Sequence, residues 1–296
     1  MLPITEKDIS KQRKAPVKSP ILCAKLDHIG IDSESFITIF SSCFESMEWD
    51  YYDVKRKQFE LLKEHHIDIS FASLSAYYPS NDQDQESYLS TVTTDKHLIK
   101  KCLDIKPWRR RSVCTYKLQF DSEPSLLRIK PKVFSQAVEK EDIRSLPRIF
   151  VQTNDSIVNN KLFHSFILKI AEHAQEVTPH IEIKEMEITA HFMSVKARKH
   201  VPGNNSPEGA HEDGADFIVS ACVINRKNIT EAKSQVLEKL AEGTMETLYE
   251  RELQPGEFLF QADTGEEKHY GNDLWHYVHH SMWMIPIKIL GETLSD

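Results

Sequence analysis

Apolar residues recur along this chain with two different periods, and the change between them divides it. From Ser33 the spacing is helical: Phe36, Ile37, Phe40, Phe44 and Met47 fall three to four residues apart, behind Ser33 or Ser35 as a cap. Val54 to His65 repeats the pattern among charges, His97 to Leu103 predicts a short helix, and Asn159 to Gln175 carries the clearest stripe, Leu162, Phe163, Phe166, Ile167 and Ile170. Between Ile67 and Asp84 a short alternating run gives way to the turn-rich Tyr77-Tyr78-Pro79-Ser80-Asn81-Asp82. Strict alternation appears at Ser112 to Phe120, with Cys114, Tyr116, Leu118 and Phe120 on the apolar side. From Ile181 onward strands dominate: Ile181 to Val195, Asp216 to Ile224, Phe258 to Phe260, Trp275 to Val278 and Met282 to Ile289. Thr230 to Glu250 interrupts them with a helical spacing of Leu237, Leu240, Met245 and Leu248. Residues 1–20 are polar and Lys-rich without periodicity, which predicts a disordered or loosely attached arm.

Composition narrows the class. With 296 residues and 40% hydrophobic content the chain can bury a large core. No apolar run reaches the ~18 residues that cross a bilayer, and the N-terminal stretch lacks the apolar segment of a secretory signal. The expected location is the cytoplasm, without a membrane partner. Five widely spaced cysteines suggest neither a disulfide framework nor a zinc site and read as reduced thiols. A formal charge of -8 gives no footprint for nucleic acid. The short basic cluster Lys11-Gln12-Arg13-Lys14 reads as solvated tail. Arg109-Arg110-Arg111 reads as a charged turn, the alternative being an arginine that faces a substrate. His65-His66, His164 and His173 read as structural or surface residues, since adjacent histidines on a helix point apart.

One segment concentrates candidate chemistry, Pro207-Glu208-Gly209-Ala210-His211-Glu212-Asp213-Gly214-Ala215-Asp216, just before the apolar Phe217-Ile218-Val219. In an extended segment, side chains two apart share a face, so the imidazole of His211 and the carboxylate of Asp213 can meet at one point. A second histidine from Asp273-Leu274-Trp275-His276-Tyr277-Val278-His279-His280 would complete the two-imidazole, one-carboxylate set of non-haem Fe(II) oxygenases. The proposed triad is His211, Asp213 and His276. Alone, an H-x-D is weak, and an Asp capping a polar loop is the plainer reading.

The surroundings strengthen it. Ser206 to Gly214, Val223-Ile224-Asn225-Arg226-Lys227-Asn228-Ile229, Leu253-Gln254-Pro255-Gly256-Glu257 and Leu274-Trp275-His276-Tyr277-Val278 resemble, in order, segments of the bacterial 2-oxoglutarate/Fe(II) dioxygenases of the isoleucine 4-hydroxylase and BsmA type. The resemblance runs from about Glu185 to Ile289 and more faintly from Trp108 to Glu172, through Trp108-Arg109-Arg110-Arg111 and Pro147-Arg148-Ile149-Phe150. It implies hydroxylation of an unactivated C–H bond of a free amino acid or similar small molecule, with Fe(II), 2-oxoglutarate and O2 consumed and succinate and CO2 released. Together with the short strands it implies an α+β fold with a mainly β core: a double-stranded β-helix, a jelly-roll barrel of the cupin kind, flanked by N-terminal helices. Residues 21–296 are expected to form one dioxygenase domain, with 21–110 its helical part and 111–296 its barrel and supporting helices.

The chain departs from the family in three places. The family carries an arginine on the last barrel strand that pairs with the far carboxylate of 2-oxoglutarate, whereas no arginine follows Arg251 here. Lys288, twelve residues beyond His276, is the candidate cation, a point charge without the arginine fork. Arg226, in a matching segment, is the other candidate. At His191-Phe192-Met193-Ser194 relatives tend to carry a Gln and an Arg, so substrate choice is expected to differ. Where the family usually has a Gly-Gly-Glu-Ser turn, Thr230 to Gln235 departs, which leaves strand pairing there open. Glu208, Asp216 and Trp275 are candidate substrate-side residues, Asp216 through support of a ligand. His269, His279 and His280 crowd the distal position; the Trp-His-Tyr-Val match favours His276, with His280 as the stronger rival. The alternative functions are a catalytically silent barrel that binds a metal, ligand or partner, favoured by the absent arginine, and a protein side-chain hydroxylase.

Overall fold

The computed structural model describes residues 21–78, 85–132, 145–179, 181–198, 209–221, 223–229, 232–240, 244–263, 274–278 and 283–294. The expected N-terminal arm, residues 1–20, lies outside them. Ten strands are described: β1 (Ile21–Lys25), β2 (Arg109–Phe120), β3 (Pro124–Ile129), β4 (Ile181–Val195), β5 (Phe217–Ala221), β6 (Ser234–Lys239), β7 (Met245–Arg251), β8 (Glu257–Ala262), β9 (Leu274–Val278) and β10 (Trp283–Leu294). Seven helices accompany them: α1 (Ser33–Ser46), α2 (Tyr52–Glu64), α3 (Phe71–Tyr77), α4 (Gln85–Val92), α5 (Lys96–Leu103), α6 (Asp155–Val158) and α7 (Lys161–Glu176).

The strands form two sheets. The larger has the order β1-β8-β5-β10-β4-β2-β3 and the smaller β7-β6-β9. Every described strand-to-strand pairing is antiparallel. The chain therefore has a mixed helical and antiparallel β architecture with a large sheet that is not closed among the described residues.

Alternation gives the large sheet two faces. On the outer face Cys114, Tyr116 and Leu118 of β2, Ile188, Ala190 and Phe192 of β4, Phe217 and Val219 of β5, and Phe258 and Phe260 of β8 pack against Phe36 and Phe40 of α1 and Phe163, Phe166, Ile167 and Ile170 of α7. This is the main core, and its aromatic rings meet edge-on or tilted, as Phe36 does with Phe166 at 5.9 Å between ring centroids. A second cluster lies on the inner face, where Val236 of β6 and Leu248 and Tyr249 of β7 meet Ile21, Cys23 and Leu259. The small sheet thus covers the β1–β8 edge of the large one. The helices α2 to α5 have an apolar cluster of their own, built on Tyr52, Phe59, Leu62, Tyr77, Leu89 and Leu98.

Several expectations are corrected. The first helix is capped by Asp32, whose carboxylate accepts from the Ser35 amide at 2.5 Å, while Ser33 Oγ donates to Asp27 at 2.6 Å. Helix α3 lies where an alternating run was expected; Ser70 caps it through the Ser73 amide at 3.2 Å. Where a helical spacing was expected between Thr230 and Glu250, the described residues form a hairpin: β6 pairs with β7, with a register shift between Val236 and Leu237. That shift breaks the period of two, and adjacent apolar residues then imitate helical spacing. Arg109, Arg110 and Arg111 open strand β2 and are not a turn. Of the five cysteines, Cys23, Cys43, Cys102 and Cys114 are described and all are free thiols. Among the described residues no helix is long and apolar enough to cross a membrane.

Candidate active site

The H-x-D segment enters strand β5 through a turn at Gly214, whose φ of +71° few other residues adopt. Its shape is set by a residue fifty positions away in sequence. Asp263, fully buried just after β8, accepts hydrogen bonds through one carboxylate oxygen from the amides of Asp213 at 3.0 Å and Ala215 at 3.1 Å. Its own amide donates to the Asp216 carbonyl at 3.1 Å, and the Asp216 amide donates to Ile287 at 2.9 Å. The turn is pinned to the ends of two neighbouring strands.

Held this way, His211 Nε2 and Asp213 Oδ1 stand 3.5 Å apart. His211 Nδ1 lies 2.9 Å from the Gly209 carbonyl. A carbonyl only accepts, so Nδ1 carries the proton and Nε2 presents a lone pair. Two donors at about 2.1 Å from one transition metal in neighbouring positions are about 3 Å apart, so the pair fits a single ion between them. Among the described residues no cluster of three His, Cys, Asp or Glu converges. Position 276 lies on β9, whose backbone is described but whose side chains, those of Trp275 and His276 included, are not. In register it pairs with Val236, which is buried in the inner-face cluster. Glu208, His269, His279 and His280 lie outside the described residues.

The candidate cations occupy different places. Lys288 is exposed on β10, opposite Glu187 of β4. Alternation puts it on the inner face, since Pro286 pairs with Ile218 and residue 288 is two further on. Arg226 serves the loops beside the hairpin: its guanidinium donates to the carbonyls of Ala232 and Leu253, both at 3.3 Å, and reaches Glu252 at 3.5 Å. Asp216, half-buried, begins the alternation continued by Ile218 and Ser220.

The inner face shared with the H-x-D turn carries residues of two segments that the sequence marked for substrate choice, His191 to Ser194 and Arg109 to Arg111, together with Ser220 and Gln261, which it did not single out. His191 of β4 and Ser220 of β5 lie in one row, both in register with Met284 of β10. His191 is 8% exposed and its Nδ1 has no hydrogen-bond partner among the described residues; the same holds for Ser220 Oγ and the amide of Gln261, which are buried on the same face. Burial, with Arg111 beside it, pushes the His191 imidazole down to about 3, against an opposing pull from Asp213. It is neutral at ordinary pH. Arg111 of β2 lies over the Phe150 ring at 4.7 Å, and that ring meets His191 edge-on at 5.7 Å. Burial and the neighbouring Arg109 bring the Arg111 guanidinium down to about 10, so it stays charged at neutral pH. Arg109 is clamped between Asp50 at 3.0 Å and Asp53 at 2.9 Å. Burial pushes Asp50 upward, but Arg109 and Arg111 together outweigh it and hold that carboxyl below its ordinary value.

A family model of the 2OG-Fe dioxygenases matches residues 86–278, more than half of the chain, and the chain belongs to that family. It is a dioxygenase that uses Fe(II), 2-oxoglutarate and O2. The match contains His211, Asp213 and position 276 and stops short of β10. Among solved structures the chain is similar to a BsmA homologue from Methylobium petroleophilum PM1, at 15% identity and a TM-score of 0.48 over 62% of this chain and 73% of that one. It is also similar to IDO from Bacillus thuringiensis, at 16% identity and a TM-score of 0.46 over 88% of this chain and 100% of that one. No curated protein matches the chain.

Proposed function

We propose that this dioxygenase hydroxylates an unactivated C–H bond of a free amino acid or a similar small molecule, in the cytoplasm, with residues 21–296 acting as one domain. His211, Asp213 and His276 hold the iron. The observation that carries this reading is the pair His211 Nε2 and Asp213 Oδ1 at 3.5 Å, with the imidazole proton held on the opposite nitrogen by Gly209. The pairing of position 276 with the inward Val236 supports His276 as the third ligand.

The two sheets are the opposed halves of a jelly-roll, with the small sheet over the inner face of the large one and the metal turn at its open end. When bound, iron and 2-oxoglutarate supply the oxidising power for R–H + O2 + 2-oxoglutarate → R–OH + succinate + CO2. The protein contributes placement. Asp263 fixes the turn so that two ligands meet without rearrangement. Lys288, on the inner face of β10, supplies a positive charge for the far carboxylate of 2-oxoglutarate; Arg226 is already engaged by two backbone carbonyls and Glu252. Asp216, Trp275 and Glu208, neighbours of the ligands in sequence, face the substrate in this reading.

Anaerobic titration with Fe(II) and then 2-oxoglutarate tests the site. The expected result is a weak visible charge-transfer band that needs both additions and is lost in His211→Ala. Bound iron without a band on adding 2-oxoglutarate would refute the cosubstrate site, and a band that survives in His211→Ala would refute the ligand set.

A further inference from the structure

Arg111 is the one residue of the buried arginine cluster whose guanidinium is not consumed by the cluster. Three arginines, Arg109, Arg111 and Arg148, meet two aspartates, Asp50 and Asp53, around the start of β2 and α2. Arg109 takes both carboxylates at hydrogen-bond distance, and Arg148 lies on the Tyr52 ring with its tip on the Tyr52 hydroxyl. What remains for Arg111 is one ion pair with Asp50 at the long distance of 3.7 Å. No hydrogen bond of its guanidinium is found among the described residues. Its Nε is buried without a partner, and a buried donor left unmade is costly unless a ligand completes it.

Its position says which ligand. Arg111 pairs with Met193 on β4 and lies on the same face as Val113, which pairs with His191. Phe150 joins the two polar groups, in contact with the guanidinium at 4.7 Å and with the imidazole at 5.7 Å. The imidazole adds a buried, unpartnered nitrogen within electrostatic reach of Asp213. This corner therefore offers one surplus positive charge in fork geometry, one neutral hydrogen-bonding group within electrostatic reach of Asp213, and an aromatic wall. A planar mono-anion with an apolar part matches that set.

We propose that Arg111, with His191 and Phe150 beside it, binds the carboxylate of the small-molecule substrate. The inference rests on the dioxygenase site proposed above. Lys288 is a separate position: it pairs with Glu187, and Arg111 with Met193, six residues further along β4. At about 3.4 Å per residue that is roughly 20 Å along the sheet, too far for one molecule of 2-oxoglutarate to engage both. Two carboxylates meet two cations. The substrate's acid group is fixed at the β2 side, so the rest of the molecule extends toward the metal turn.

The test uses the full chain with Fe(II) and 2-oxoglutarate under argon, and calorimetric binding of the twenty proteinogenic L-amino acids and their carboxamides. At least one free acid binds, its amide binds at least about tenfold more weakly, and Arg111→Lys weakens the acid by about tenfold or more because the fork is lost. The 2-oxoglutarate midpoint of the visible band stays within about twofold of wild type in that variant, which separates the substrate's carboxylate from the cosubstrate's. His191→Gln leaves the guanidinium in place and weakens the acid by about threefold or more. Should Arg111→Lys not fold, the acid-over-amide preference of wild type and the His191→Gln loss carry the test. Equal binding of acid and amide overturns the proposal. So does a shift of the 2-oxoglutarate midpoint without a loss of acid binding, or a chelate band with no acid bound. A wild-type protein with no band fails at the iron and 2-oxoglutarate site, a failure visible before any amino acid is added.

Discussion

Asp263 is the residue whose removal separates the proposed iron site from the fold that carries it. Its buried carboxylate holds the amides of Asp213 and Ala215 at 3.0 and 3.1 Å. Hydrogen bonds to a charged group contribute about 1.5–3 kcal/mol each, and a donor left buried without an acceptor costs about 1–3 kcal/mol. Two bonds lost together bring the gross loss to about 3–6 kcal/mol. Release of a carboxylate from a desolvated position returns part of it, so Asp263→Ala is expected to destabilise the protein by about 2–4 kcal/mol. At about 2–4 °C per kcal/mol for a domain of this size, the melting temperature falls by about 4–16 °C. The effect on the metal is separate: a turn no longer pinned must be ordered by the ion itself, and loss of such a support costs about 10–100-fold in metal affinity. Asp263→Asn keeps an acceptor oxygen without the charge and is expected to recover about half of the stability. Differential scanning calorimetry and anaerobic Fe(II) titration read the two effects. Unchanged melting and unchanged iron affinity in Asp263→Ala would refute the account of the turn. Lost stability with full iron affinity would mean that His211 and Asp213 are positioned by something else.

Three further outcomes follow from other contacts. Lys288→Met is expected to raise the 2-oxoglutarate midpoint of the chelate band about tenfold, and Lys288→Arg to preserve or tighten it; a midpoint unmoved by the removal of the charge would exclude Lys288 as the cosubstrate cation. His191 titrates near 3 when folded and near its ordinary value of about 6.5 when unfolded, so between those values the unfolded chain binds the extra proton. Stability therefore falls as pH drops through that window, by up to about 1.4 kcal/mol per unit from this residue; urea unfolding at pH 7 and pH 5 should show a smaller drop in His191→Gln, and an equal drop would count against a buried neutral imidazole. Tyr116, 1% exposed, donates its hydroxyl to the Val158 carbonyl at 2.6 Å, so Tyr116→Phe is expected to cost about 1–2 kcal/mol in the same assay, with no change in iron affinity.

What the sequence determined by itself is the set of local patterns and the closeness of His211 to Asp213. Helices α1, α2, α5 and α7 were legible within a few residues, because an amphipathic stripe is a property of neighbouring residues. So were most of β2, from its alternation, and β4, β5, β8, β9 and β10, from their strand-like composition, and the H-x-D spacing pointed to His211 near Asp213. Tertiary structure decided the rest. The β6–β7 hairpin was hidden by a register shift that no single strand encodes, and the arginines at the start of β2 became strand residues because Asp50, Asp53 and Trp49 receive their charges from another part of the chain. Asp263 acts on amides fifty positions upstream, and Arg111, Phe150 and His191 meet only when β2 pairs with β4 and the segment after Leu146 folds back over them. A ligand pair two residues apart is set by the backbone's own geometry. A support or an anchor drawn from distant strands depends on which strands pair, and that is settled by burial of the whole core.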